Sequence, residues 1–120
     1  MAKTEFGTHA LSFSSGCAAM NALFFILEKG DHILSCDDVY GGTNRMMRKV
    51  LDKVGIESTL IDMSDLEVVK KSIKNNTKII WVETPTNPTL KIFDIEEICK
   101  LGKEHNIIVA VDNTFASPIL

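Results

Sequence analysis

Ile79-Ile80-Trp81-Val82-Glu83-Thr84-Pro85-Thr86-Asn87-Pro88 is the stretch that decides the fold. Four apolar residues in succession run into a carboxylate, then into an asparagine bracketed by prolines. Further on, Ile107-Ile108-Val109-Ala110-Val111 runs in the same way into Asp112, with Asn113-Thr114-Phe115 after it. A strand with one wet face alternates apolar and polar residues. An unbroken apolar run is what a strand buried on both faces requires, and that is the habit of a parallel sheet covered by helices. Each run delivers polar groups at its carboxyl end, the edge at which open α/β sheets bind ligands.

Working outward, apolar runs alternate with helix-like segments. Ala10 to Ser14 reads as a strand, and Gly16 to Lys29 as a helix stopped by Gly30. His32 to Cys36 reads as a strand, Asn44 to Lys53 as an amphipathic helix stopped by Gly55, and Ile56 to Ile61 as a strand. Ser64 and Glu67 have capping-box spacing and open a helix to about Lys74. Lys78 to Glu83 is the next strand. Asp94 caps a helix running to about Glu104, and Ile107 to Asp112 is the last strand. The fold class is therefore α/β, a mainly parallel sheet flanked by helices. The first helix (Ala18, Ala19, Met20, Ala22 and Leu23 through Leu27) has almost no polar face. Such a helix demands cover on all sides, from more of the domain or from a second subunit.

The chain has 120 residues, 45% apolar and 24% charged, with a net charge of -3. That suits one small globular domain and excludes the basic footprint of a nucleic-acid binder. No apolar run approaches the roughly 20 residues of a membrane span, and the N-terminus lacks a signal-peptide core. A cytoplasmic location is the expectation. Cys17, Cys36 and Cys99 are scattered, without metal-ligand spacing, and read as buried, reduced thiols. No metal is expected.

Ser14-Ser15-Gly16-Cys17 joins the first expected strand to the first helix. A glycine at a helix N-terminus suits a phosphate cradle, but small residues also suit a tight turn. In Tyr40-Gly41-Gly42-Thr43 the glycines expose the only tyrosine of the chain, to stack on a planar ligand or to cap the sheet edge. Asp37 and Asp38 lack companion ligands and read as solvated loop carboxylates. Arg45 and Arg48 share a helix face. Arginine suits carboxylate binding, although a solvated face is the simpler reading of Arg48. Asp112, ending an apolar strand, requires a partner, and a ligand cation such as a protonated pyridine nitrogen is one candidate.

Together, residues 14–19 (Ser-Ser-Gly-Cys-Ala-Ala), 37–45 (Asp-Asp-Val-Tyr-Gly-Gly-Thr-Asn-Arg), 83–88 (Glu-Thr-Pro-Thr-Asn-Pro) and 111–115 (Val-Asp-Asn-Thr-Phe) resemble the cystathionine lyase and synthase family. These are pyridoxal 5'-phosphate (PLP) enzymes of cysteine and methionine metabolism with the aspartate-aminotransferase-like fold, fold type I. The resemblance implies that the N–H groups of Gly16 and Cys17 hold the cofactor phosphate. It implies that Tyr40 stacks on the pyridine ring and takes part in proton transfer, that Asp112 pairs with the ring nitrogen, and that Asn87 sits near the ring hydroxyl. Thr114 would support Asp112, Arg45 would belong to the substrate region, and Glu83 would orient its neighbours. Cys17 departs from the usual Leu or Met, which a backbone contact tolerates.

The family's cofactor-bonding lysine lies in a Ser-x-Thr-Lys segment downstream of the Asp-Asn-Thr motif. No lysine of this chain occupies that position. The upstream Tyr-x-Arg segment and the C-terminal domain are absent as well. Residues 1–120 thus read as an incomplete PLP-binding large domain, a slice ending at Pro118-Ile119-Leu120. Within the family, Tyr-Gly-Gly-Thr-Asn-Arg resembles cystathionine γ-lyases best, which implies a small amino-acid substrate and a homo-oligomer, usually a tetramer. Methionine γ-lyases usually carry Cys where this chain has Gly42, and γ-synthases and β-lyases share much of the rest. A catalytically silent truncated module is a further alternative. A Rossmann-like nucleotide binder lacks its Gly-x-Gly-x-x-Gly here.

Overall fold

The structure, a computed structural model, describes residues 1–116. Pro118-Ile119-Leu120 lie outside the described residues. Four strands, β1 (His32–Cys36), β2 (Glu57–Ile61), β3 (Thr77–Glu83) and β4 (Ile108–Asp112), form one sheet in the order β2-β1-β3-β4, every pair parallel. Helices α1 (Gly16–Phe24), α2 (Gly41–Arg45), α3 (Leu66–Ser72) and α4 (Ile95–Glu104) alternate with the strands. The core is built on β1 and β3, whose Ile33, Leu34, Ile79, Ile80 and Val82 have no exposed surface. The unbroken apolar run of β3 is buried as its pattern requires.

β4 departs from that pattern. Ile108 and Val111 are exposed, so the described residues do not cover both faces of this edge strand. α1 behaves alike. It buries Met20 and Phe24, the latter with its ring centroid 5.5 Å from that of Trp81, and Phe25 and Ile26 just past its end are exposed.

Other expectations are corrected. Of the three cysteines expected to be buried, Cys36 is, whereas Cys17 and Cys99 are exposed. Ala10 to Ser14 is not a strand; residues 7–15 carry no helix or strand. α1 stops at Phe24 rather than Lys29, because the N–H groups of Ile26 and Leu27 turn back to the carbonyls of Leu23 and Phe24 in tighter turns. Asn44 to Lys53 is not one regular helix. After α2 the chain widens into a π-turn over Met46–Leu51 and tightens over Asp52–Val54. Gly55 then ends it at φ 83°, where a side chain would be strained. α3 is capped by Asp65, whose carboxylate accepts the Glu67 N–H at 2.9 Å. Ser64 is unavailable as the cap, since its N–H and hydroxyl both donate to Asp62. Asp94 caps α4 as expected, accepting from the Glu97 N–H at 3.0 Å.

Candidate active site

The chain leaves β1 for β2 on one side and returns to β3 on the other. The β1–β3 boundary is therefore a topological switch point, where the loops diverge and leave a crevice. The loop after β1 carries Tyr40 and the loop after β3 carries Asn87. With the start of α1 and the end of β4 they enclose a cavity of about 400 Å³. Gly16, Cys17, Tyr40 and Asn87 line it, as do Asp112 and Thr114. Glu83 lines it too, so seven of the eight residues to which the resemblance gives a role converge from four segments. Arg45 does not: it is exposed at the end of α2 and is not part of the lining.

Each segment has a local reason for its position. Ser15 stands in extended conformation before α1, and its hydroxyl accepts the Ala18 N–H at 3.1 Å. This caps the helix while Gly16 and Cys17 occupy its first turn, whose N–H groups have no partners within the helix. A Cβ built on Gly16 would meet no atom within 4 Å, so the backbone here borders open space.

Tyr40 precedes α2. Its N–H donates to both carboxylate oxygens of Glu83, at 3.0 Å each, while its ring is half exposed. The ring occupies the space left by Gly42, where a Cβ would fall 2.5 Å from Tyr40 Cε1. Glu83 ends β3 and is paired in register with Asp112 at the end of β4, so two carboxylates stand side by side at the sheet edge. Burial pushes the Glu83 carboxyl above its usual range. The Tyr40 N–H opposes that shift, and the neighbouring charges of Asp112 and Asp38 add to it. Asp112 Oδ1 accepts the Thr114 N–H at 3.1 Å and the Thr114 hydroxyl at 2.5 Å, which fixes the carboxylate in place.

Two features of the site were not visible in the sequence. Thr43 is buried and lines the cavity, and its one signal was its place behind the glycine pair. Asp38, expected to be solvated, accepts hydrogen bonds from Thr86 and Thr89 instead.

The donor set suits a ligand with an anionic group at one end and a cationic nitrogen at the other. Helix N–H groups stand at the α1 end, and a carboxylate held by Thr114 stands at the β4 end. None of the described lining residues is basic. PLP has that distribution of charge, and the residues present fit it.

Comparison with known proteins gives the same reading. The family model for Cys/Met metabolism PLP-dependent enzymes matches residues 1–120. The chain is 50% identical to the cystathionine beta-lyase MetC of Bacillus subtilis over 120 residues, all of this chain and 31% of that protein. It is 48% identical to a probable cystathionine gamma-synthase of Herpetosiphon aurantiacus over 118 residues, 98% of this chain and 37% of that protein. A crystal structure of cystathionine gamma-lyase from Lactobacillus plantarum, complexed with L-serine, superimposes with a TM-score of 0.95 at 46% identity, over 98% of this chain and 31% of that one. The chain thus spans about a third of the length of the relatives it matches. Lyases of both kinds and a synthase stand at similar identity, so the likeness reaches the class and not one activity. The chain belongs to the family of PLP-dependent enzymes of cysteine and methionine metabolism.

Proposed function

We propose that residues 1–120 form the cofactor-cradling part of a PLP-dependent carbon–sulfur lyase. In this reading the cofactor-bonding lysine and a C-terminal domain are supplied by further polypeptide. The observation that carries the proposal is the convergence of Gly16, Cys17, Tyr40, Asn87 and Asp112 on one cavity from four separate segments. Bound there, PLP supplies an electron sink for the bonds broken at the substrate's α-carbon.

The chain's own residues divide the remaining work. The N–H groups of Gly16 and Cys17, at the positive end of α1, bind the phosphate. Asp112 holds a proton on the pyridine nitrogen, and the N–H and hydroxyl of Thr114 fix its carboxylate in place for that purpose. Tyr40 covers the ring and moves protons through its hydroxyl, and Asn87 binds the ring hydroxyl. Arg45, outside the cavity lining here, enters the substrate region only with the remainder of the enzyme.

Within the class, the Tyr40-Gly41-Gly42-Thr43-Asn44-Arg45 stretch favours cystathionine γ-elimination. Cystathionine and water would give cysteine, 2-oxobutanoate and ammonia, with hydrogen sulfide as a side product from cysteine. β-Elimination is the second reading, favoured by the identity to the Bacillus subtilis β-lyase. The exposed Phe25 and Ile26 just past α1 support burial in an oligomer, and a cytoplasmic enzyme is the reading for location; no helix among the described residues is long and apolar enough to cross a membrane.

Two measurements test this. Feeding cystathionine to the full-length protein and identifying the oxo acid separates 2-oxobutanoate (γ-cleavage) from pyruvate (β-cleavage). Mixing the 120-residue chain with PLP, reducing with borohydride and mapping adducts should give only scattered, substoichiometric lysine labelling. One stoichiometric adduct would mean that the chain carries a complete cofactor site.

A further inference from the structure

The loops that carry Tyr40 and Asn87 are joined by two carboxylates reaching in opposite directions. From the end of β3, Glu83 reaches back to the Tyr40 N–H. From the loop after β1, Asp38 reaches across to the segment around Asn87. Its Oδ2 accepts the Thr86 hydroxyl at 2.5 Å, the Thr89 N–H at 2.9 Å and the Thr89 hydroxyl. Asp38 does not line the cavity. The two threonines it holds bracket Asn87, which does.

The segment is built to transmit that grip. Thr86 is fully buried, and its hydroxyl oxygen also accepts the Lys91 N–H at 2.8 Å. The Thr86 N–H returns to the Lys91 carbonyl at 3.1 Å, and the Leu90 N–H to the Thr86 carbonyl at 3.1 Å. Residues 86–91 therefore form a closed turn that Asp38 grips at Thr86 and Thr89, while Asp37 and Asp62 meet only the Lys91 ammonium at its far end. The donors of Thr86 and Thr89 also hold the Asp38 carboxyl below its usual range, so it is ionised, as an acceptor of several hydrogen bonds must be.

We propose that Asp38 is a positioning residue for the cofactor site, setting through Thr86 and Thr89 where Asn87 stands relative to Tyr40. This rests on the reading of the cavity as the PLP site. Asparagine in place of Asp38 keeps a carbonyl acceptor at the position of Oδ2 but removes its charge, so three donors share a neutral and weaker acceptor. The turn then loosens at the end nearest Asn87, and the ring hydroxyl loses a fixed partner.

The test compares Asp38→Asn, Thr89→Val and the double variant with the unaltered full-length enzyme, with Asp62→Asn as a control. Asp62 pairs with Lys91 at the same rim, at 2.8 Å, without touching Thr86 or Thr89. PLP affinity is measured by titrating the apoprotein, together with the visible absorption maximum of bound cofactor and amide exchange of residues 86–91. Asp38→Asn should weaken PLP binding about tenfold, shift the absorption maximum and speed exchange at Thr89 and Leu90. Thr89→Val, which removes a single hydroxyl at an exposed position, should act in the same direction by about threefold. The double variant should be little worse than Asp38→Asn alone, as expected for groups acting through one another. Asp62→Asn should change none of these readouts.

Faster exchange with unchanged PLP affinity and spectrum would overturn the proposal, since Asp38 would then brace the loop without bearing on the site. An equal effect of Asp62→Asn would overturn it too, by pointing to rim charge in general. Failure of the unaltered apoprotein to bind PLP at all would instead remove the reading of the cavity itself. If Asp38→Asn does not fold, Thr89→Val alone decides, and unchanged affinity and spectrum in that variant overturn the proposal.

Discussion

Both carboxylate oxygens of Glu83 accept the backbone N–H of Tyr40, each at 3.0 Å, although 43 residues of sequence separate the two. The pairing ties the end of β3 to the loop after β1. Glu83→Ala would leave that N–H to water or to nothing, at a cost of about 1 kcal/mol. A urea titration should register it. Glu83→Gln should behave differently with pH. Burial raises the native Glu83 carboxyl above its unfolded value, so ionising it costs stability as pH rises from the ordinary glutamate range through the raised one. Gln removes that slope, and stability measured between mildly acid and neutral pH should fall less steeply in the variant.

Asp112→Ala should lower turnover of the full-length enzyme by at least about a hundredfold while leaving the fold intact. Near-normal activity with a normal circular dichroism spectrum would withdraw the pyridine-nitrogen role.

Tyr40→Phe keeps the ring and loses the hydroxyl. Cofactor affinity should hold while turnover drops about a hundredfold, the scale of a lost proton-transfer group. An unchanged rate would confine Tyr40 to stacking.

Gly42→Ala places a methyl 2.5 Å from Tyr40 Cε1 and 3.3 Å from Cys17 Sγ. The half-exposed ring gives way more easily than backbone, so the melting temperature should hardly move while turnover falls about tenfold. A large loss of stability without loss of activity per folded molecule would show that the backbone yields instead.

His32 is buried between two threonines, its Nδ1 2.8 Å from Thr77 Oγ1 and its Nε2 2.8 Å from Thr59 Oγ1. Burial, with help from the charge of Lys74, lowers its pKa from 6.5 to about 4. Below the unfolded value the unfolded chain takes up the proton first, so stability falls as pH drops from 6.5 towards 4. The loss is on the order of 2 kcal/mol once partial solvent screening is allowed for. His32→Gln, which can still meet both hydroxyls, should flatten that part of the stability profile.

The sequence announced the sheet through consecutive apolar residues, and β3 obeys. The same pattern at residues 107–111 states only that both faces of β4 want cover, not what supplies it, and Ile108 and Val111 stand exposed. Cap identity was legible at Asp94 but not at Ser64, because a neighbouring carboxylate at Asp62 competes for the serine in a way that spacing does not reveal. Glycines and motif order marked Gly16, Tyr40, Asn87 and Asp112 for the site. Asp38 looked solvated because its partners lie 48 and 51 residues away, and Arg45 stands outside the lining that these residues, about a third of the length of the relatives, enclose.

β1 and β3 lie side by side, yet Cys36 and Glu83 are separated by 47 positions, with all of β2 and α3 between them. On a ribosome adding roughly 5–20 residues per second, β1 emerges several seconds before its central neighbour exists. For that interval β2 alone can pair with it, and its other hydrogen-bonding edge is open to any passing strand. The nascent chain is most vulnerable to mispairing then, before either half of the cofactor crevice has met the other.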